Sequence, residues 1–288
     1  MNVHTKKVIH CYKGSKQWIN GTPGIGDFLR GTCHLHEILV DTGVELRIDM
    51  SQSGFAEHLL ENQFISFLGD ASDIAHAEEY FEDHNALRRR LQAFVHSDQS
   101  SLYISTNLGA WDRTTLPGST IAFMRSFMQF KPDIDCSIQA SLKVSDYEVV
   151  SLRCGDDFFR AGQAPSHAHL TDQAQRFLEN MILPKIQHPL VLMSDSFEIK
   201  CALAERYGLL YLPHRSEHGA FNQNTLPVAM DLSLLIRSKY NYHINLWANW
   251  WSGFSHYTSM IFSIPSLNIR APDFRNEEIS AEGDLMIR

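Results

Sequence analysis

The chain has 288 residues, room for one large domain or two of about 140 residues each. With 44% hydrophobic, 11% aromatic and 20% charged residues it carries enough apolar side chain to bury a core, which excludes a disordered or fibrous chain. A balance of 25 basic against 33 acidic residues, net −8, excludes an overall field that would draw in nucleic acid or an anionic membrane, so any anionic ligand must be held by local groups.

In the first half, short β-rich runs alternate with helical stretches. KVIHC (7–11), ELRID (45–49), FISFL (64–68) and LYIST (102–106) are short, apolar and bounded by turn residues, and are expected to be strands. Helices are expected over 26–41, 54–61, 72–95 and 118–130. In 72–95, Glu78, Glu79, Glu82 and Asp83 precede Arg88, Arg89 and Arg90, an order that suits a helix dipole and makes the triple arginine a solvated helix end rather than a phosphate site. Asp133-Ile134-Asp135, the only DxD, follows Pro132 and reads as a helix start.

The second half repeats the alternation. Strands are expected at 147–153, 189–195, 209–212 and 243–248, and helices at 170–182, 197–206, 228–240 and 254–262. Sequential strand–helix units favour parallel sheets with helices on both faces. The expected fold is therefore α/β: two Rossmann-like domains with parallel sheets facing a cleft, residues 1–140 and 141–288. No Asp, Glu, Lys or Arg occurs between Lys239 and Arg270, but Asn241, His243, Asn245, Asn249, Ser252 and His256 make this stretch too polar to span a membrane, so it is expected to be buried core.

Met1 to Lys7 lack the apolar run of a signal peptide. Cys11, Cys33, Cys136, Cys154 and Cys201 are odd in number and show no CxxC spacing. Together these suggest a cytoplasmic protein without a disulfide framework.

Four polar-glycine motifs fall at strand-to-helix turns. The first, GTPGIGDFLRG, places Gly21, Gly24 and Gly26 before an amphipathic helix, where a close-turning backbone and free N–H groups suit an anion. A dinucleotide site with Asp49 as ribose ligand is one account of it; a capped loop is another. The second, SLRCGDDFF, puts Arg153 on a strand beside Val149, Val150 and Leu152. A guanidinium there either grips a phosphate or forms a buried ion pair with Asp156 or Asp157. The third, MSDSFE, brings Ser194, Asp195 and Ser196 to a strand's carboxyl end, where one of Asp195 and Ser196 is expected to cap a helix and the rest to meet a base, ribose or sugar. The fourth, ANWWSGFS, offers Ser252 and Gly253 as N–H donors behind Trp250 and Trp251.

Taken in order and spacing over about 230 residues, these motifs resemble the fucosyltransferase-like branch of the GT-B glycosyltransferases, which includes protein O-fucosyltransferases and nodulation α-1,6-fucosyltransferases. Gly24-Ile25-Gly26-Asp27 is similar to that group's GxGN or GxGD turn, and Ser151-Leu152-Arg153-Cys154-Gly155 to its HLRxG strand end, with Ser151 for the usual histidine and Cys154 where some members carry a second arginine. Ser194-Asp195-Ser196 resembles its TD or SD strand end, and Asn249-Trp250-Trp251-Ser252-Gly253-Phe254 its GNxxSSF turn.

The resemblance implies an inverting, metal-independent glycosyltransferase that uses a nucleotide-sugar donor, GDP-fucose first, and a glycan or glycolipid acceptor. It implies no cofactor and no nucleic acid or membrane-spanning segment, and leaves peripheral membrane contact open. Arg153 would stabilise the leaving diphosphate with N–H groups near Ser252 to Phe254, Asp27 would act as base, Asp195 would bind the nucleotide with Ser196 assisting, and Gly24, Gly26 and Asn249 would complete the site. The alternatives are an NAD(P)-dependent oxidoreductase built on Gly24 and Asp49, and a non-catalytic nucleotide- or sugar-binding protein. His34/His36 and His167/His169 are expected to be solvated or core histidines rather than metal ligands. The stretch 108–117 with Trp111, Asp112 and Arg113, and the loop 213–221 with His214, Arg215 and His218, are expected to line the cleft.

Overall fold

A computed structural model describes residues 5–13, 24–62, 65–66, 76–110, 112–154, 167–215, 225–246 and 252–270. Gly21, Trp111, Gly155, Asp156, Asp157, His218, Asn249, Trp250 and Trp251 lie outside these, so the expectations that fall on them, in three of the four motifs and in the stretches 108–117 and 213–221, concern residues that are not described. The chain divides into two compact units, residues 1–131 with 219–226, and 132–218 with 227–288.

The first unit runs β1 (Lys7–Cys11), α1 (Ile25–Leu39), β2 (Glu45–Asp49), a 3₁₀ turn (Gly54–His58), β3 (Ile65–Ser66), β4 (Glu78–Tyr80), α2 (His84–Val95), β5 (Ser101–Thr106) and α3 (Gly118–Phe127). Its five strands form one parallel sheet in the order β3-β2-β1-β5-β4. In α1 the residues Phe28, Thr32, Leu35 and Leu39 recur at helical spacing and are all buried. Leu35 and Leu39 pack with Val8 of β1, Ile104 of β5 and Leu87, Leu91 and Phe94 of α2. The β1 histidine is part of this interior: the His10 ring stacks on Phe28 at 4.3 Å, with Nδ1 2.8 Å from Thr32 Oγ1 and Nε2 3.0 Å from the Thr106 carbonyl.

The second unit runs α4 (Pro132–Leu142), β6 (Glu148–Arg153), α5 (His167–Phe177) with a π-helical turn to Ile182, β7 (Leu190–Ser194), α6 (Phe197–Tyr207), α7 (Leu226–Arg237), β8 (Asn241–Asn245), α8 (Gly253–Phe262) and β9 (Ser266–Arg270). Its four strands are parallel in the order β7-β6-β8-β9. One face is apolar: Val150, Leu152, Leu190, Leu192, Tyr242, Ile244 and Ile269 meet Leu170, Ala174 and Leu178 of the α5 segment and Ile199 and Leu203 of α6. The alternate positions include Ser151, Arg153, Asn241, His243, Asn245 and Asn268, side chains that a doubly covered parallel sheet seldom carries. Ser259 of α8 holds this polar side, its Oγ 2.9 Å from Asn241 Nδ2 and 3.0 Å from His243 Nε2. Of the uncharged stretch after Lys239, Asn241 to Leu246 and Ser255 to Ser259 are buried as expected, whereas Ser263 and Pro265 at the turn after α8 are exposed, and no helix among the described residues is long and apolar enough to cross a membrane.

Several local expectations are corrected. The segment 72–95 is not one helix: Glu78 to Tyr80 form an edge strand on β5, and α2 starts only at His84, capped by Asp83 Oδ1 on Ala86 N at 2.8 Å. The acidic-then-basic order reflects pairing across two elements, with Glu78 on Arg90 at 2.7 Å, rather than one dipole. Arg88 and Arg89 are solvated, as expected, but in the middle of the helix. The helix expected over 54–61 is a 3₁₀ turn capped by Ser53, and the one over 118–130 ends at Phe127 because Phe130 pairs with Leu59. The strand expected over 209–212 shrinks to a single parallel bridge of Leu210 with Val191. Pro213 lacks an N–H to continue a ladder, and the buried Lys200 ammonium captures the carbonyls of Leu212 and His214, turning the chain away. β9 had no sequence expectation.

Two buried histidines couple both units to pH. Burial holds His10 down at about 3, and burial with His256 nearby holds His243 down at about 3. A histidine that ionises near 6.5 when unfolded then favours the unfolded state as pH falls from about 6.5 toward 3, at about 1.4 kcal/mol per pH unit for each. Urea denaturation at pH 7, 6 and 5 is expected to show stability falling in both units. A flat profile over that range rules this out.

Candidate functional site

The second unit gathers its candidate residues along one carboxyl edge. β6 and β8 are the inner strands, ending in Arg153 and Asn245, which are register partners; β7 ends in Ser194. In open parallel α/β sheets this is the edge where ligands bind. Arg153 keeps 19% of its side chain exposed and donates from Nη1 to Asp195 Oδ2 at 2.9 Å. The other Asp195 oxygen accepts from Cys154 N at 2.8 Å. Among the described residues Arg153 thus forms an ion pair with Asp195 across the β6–β7 gap, and the arginine still reaches the surface; Asp156 and Asp157, the carboxylates of the ion-pair alternative, lie outside the described residues.

Ser194 and Ser196 build the strand-to-helix turn around Asp195. Ser194 Oγ accepts from Ser196 N at 3.1 Å, and Ser196 Oγ caps α6 by accepting from Ile199 N at 3.4 Å. Both serines are buried. The cap is thus Ser196, one of the two residues expected for it. Cys154 is buried against Ser194, and burial followed by the Asp195 charge pushes its thiol up, which makes it packing rather than a nucleophile. At the neighbouring turn Ser252 is the N-cap of α8 and makes no side-chain cap hydrogen bond. Ser252, Gly253 and Phe254 are each half-buried at a helix start whose N–H groups face outward along the axis, the geometry that receives an anion.

In the first unit Gly24 is the N-cap of α1, without a side-chain cap, and Gly26 and Asp27 lie in its first turn. Asp27 is not isolated: its Oδ1 sits 3.1 Å from Arg30 Nη2, one turn on, and Arg30 is 2% exposed. Arg30 Nε donates to Asn107 O at 2.6 Å. Gly109, at φ +151°, passes so close that a Cβ there would lie 2.6 Å from Arg30 Cγ. Tyr12 shares the neighbourhood, its phenol pushed up by burial and then by the Asp27 charge. Arg30 is the buried charged neighbour of Asp27 that the sequence motifs did not single out. Its signal was the one that exposed Arg153: a charge inside an apolar run, here Phe28-Leu29-Arg30.

The other candidates make contacts within their own unit. Asp49, the ribose ligand of the dinucleotide account, is 2% exposed, and its Oδ1 takes Ser51 N at 2.9 Å and Ser51 Oγ at 2.6 Å, closing its own turn. His34 lies 3.4 Å from His84, whereas His36 meets Thr120 at 3.0 Å, so the pair diverges. Burial, then His84, Arg88 and Arg113, hold His34 down at about 4. Asp135 of the DxD is paired with Arg237 and accepts from Ser233 at 2.8 Å. Among the described residues no group of three or more His, Cys, Asp or Glu is placed to hold a metal. Arg113 pairs with Glu37 at 2.6 Å, and His214 with Asp231 at 3.0 Å.

No family model and no curated protein matches the sequence. Solved structures do match. The NodZ α-1,6-fucosyltransferase soaked with GDP-fucose is similar at a TM-score of 0.54 and 14% identity, over 92% of this chain and 95% of that one. The selenomethionine form of fucosyltransferase NodZ from Bradyrhizobium is similar at 0.54 and 15%, over 94% and 96%. The NodZ form co-crystallized with GDP is similar at 0.54 and 12%, over 92% and 95%. Two parallel sheets, each wrapped by helices and matched over nearly the whole of both chains, give this protein the fucosyltransferase-like GT-B fold.

Proposed function

We propose that the chain is a glycosyltransferase that moves fucose from GDP-fucose to a hydroxyl of a glycan or glycolipid, with inversion and without a metal ion. The observation that carries this is Arg153: a guanidinium held in place, yet partly exposed, at the carboxyl end of an inner strand. Departure of the sugar leaves positive charge on the ring and negative charge on the diphosphate. A preorganised guanidinium and the N–H groups at the start of α8 stabilise that charge. They supply what a divalent cation supplies elsewhere, and the contacts of Asp135 in the DxD with Arg237 and Ser233 support a site that works without one. The NodZ structures that share this fold were soaked with GDP-fucose or co-crystallized with GDP, which supports the same donor class here. The oxidoreductase alternative is not favoured by the solved structures that share this fold.

The first test is a thermal-shift titration with GDP, UDP, CMP and NADH. A nucleotide at 100 times its Kd adds about 2.7 kcal/mol, a shift of several degrees. Stabilisation by GDP alone supports the donor. A response only to NADH overturns the assignment, and a response to UDP or CMP discards fucose.

We place Asp27 as the base that takes the acceptor proton. Asp27→Asn is expected to lower turnover of GDP-fucose by about 10²-fold or more with little change in GDP affinity. It also leaves Arg30 without its carboxylate, at a stability cost of about 1–3 kcal/mol. Turnover measured well below the melting temperature separates the two effects: a folded variant with full turnover removes Asp27 from the chemistry and leaves it as the partner of Arg30.

A further inference from the structure

Asp195 occupies the place where a carboxylate reading the nucleobase is expected, but its geometry fits a different task. It follows the last residue of β7, and since Leu152 and Ser194 are register partners, Asp195 stands beside Arg153 on the adjoining strand. Its Oδ2 accepts from Arg153 Nη1 at 2.9 Å and its Oδ1 from Cys154 N at 2.8 Å, so both oxygens point along the sheet edge toward β6. Its backbone is bracketed by the Ser194–Ser196 hydrogen bond and by the Ser196 cap of α6, and only 11% of its side chain is exposed. On the other flank Arg153 O accepts from Leu246 N at 2.9 Å. The arginine is thus fixed at its backbone by β8 and at its guanidinium by β7. A side chain with four rotatable bonds is otherwise costly to hold in one pose, and a fixed pose is what charge stabilisation without reorganisation requires.

We propose that Asp195 is a positioning residue that sets the guanidinium of Arg153 for the diphosphate, and not a reader of the nucleobase. This rests on the donor assignment above. It deepens that assignment by making nucleotide affinity depend on Asp195 only through Arg153.

The two roles separate in a double-mutant cycle read by the Kd of GDP and of IDP, which lacks the exocyclic amino group that a carboxylate would recognise. The proteins are wild type, Asp195→Ala, Arg153→Ala and the double variant. A positioning role predicts that Asp195→Ala weakens both nucleotides by the same factor, about tenfold for one loosened charge-assisted contact, and adds nothing once Arg153 is alanine. Asp195→Asn keeps one acceptor oxygen for the two donors and is expected to fall between alanine and wild type, which also covers the case in which the alanine variant does not fold. Losses that multiply in the double variant, or a GDP preference over IDP that collapses in Asp195→Ala or Asp195→Asn, overturn the proposal. Failure of the wild type to bind either nucleotide is a different result: it sinks the donor assignment itself.

Discussion

Replacing Arg153 with alanine is expected to reduce sugar transfer by about 10²–10³-fold, the effect of deleting one preorganised donor aimed at a developing anion. The loss is expected in the catalytic rate as well as in GDP affinity, because the charge on the diphosphate is greater when the sugar has left than when it is bound. Arg153→Lys should recover little: a point charge on a flexible stem cannot make the fork that meets both Asp195 and a phosphate. Stability should fall more modestly, by about 1–3 kcal/mol, since Asp195 loses its cation but still accepts from Cys154 N. GDP release measured alongside urea denaturation distinguishes the two. A variant that transfers fucose at the wild-type rate while losing only stability would make the Arg153–Asp195 pair a structural tie and leave the glycosyltransferase reading without its main support.

Arg153 was legible because burial is legible. Val149, Val150 and Leu152 mark a core strand, and a charge in that run calls for an explanation. Its pairing with Asp195, 42 residues on, was not. The ion-pair alternative named only the adjacent Asp156 and Asp157, which lie outside the described residues. A parallel sheet puts side by side residues separated by a whole helix, and no local pattern records which strand lies next to which. The alternation of strands and helices was readable for the same reason that the exceptions were not: periodicity reports what an element buries, not what pairs with it. Glu78 to Tyr80 read as helix because their charges suit a dipole, yet pairing with β5 and the ion pair to Arg90 made them an edge strand. Leu209 to Leu212 have the composition of a strand and pair at one residue, because Lys200 takes the next carbonyls.

Gly31→Ala is expected to destabilise the first unit by about 3 kcal/mol or more, a fall of several degrees in its melting temperature. The reason is contact, not propensity: alanine favours a helix interior by up to about 1 kcal/mol over glycine, which argues for stabilisation. A Cβ on Gly31, however, would lie 2.1 Å from Thr106 O and 2.8 Å from its carbonyl carbon, both backbone atoms that cannot swing aside. Either α1 backs away from the end of β5 or the strand end distorts. The neighbouring residue registers that movement, because Arg30 Nε donates to Asn107 O at 2.6 Å and Arg30 in turn holds Asp27. The variant should therefore lose turnover beyond what its stability explains, through displacement of Asp27, while nucleotide affinity carried by the second unit stays near wild type. Gly118→Ala is the control: a helical glycine whose Cβ meets nothing within 4 Å, expected to be neutral or slightly stabilising. Equal effects of the two substitutions would show that the close approach of α1 to β5 is not what places Arg30 and Asp27.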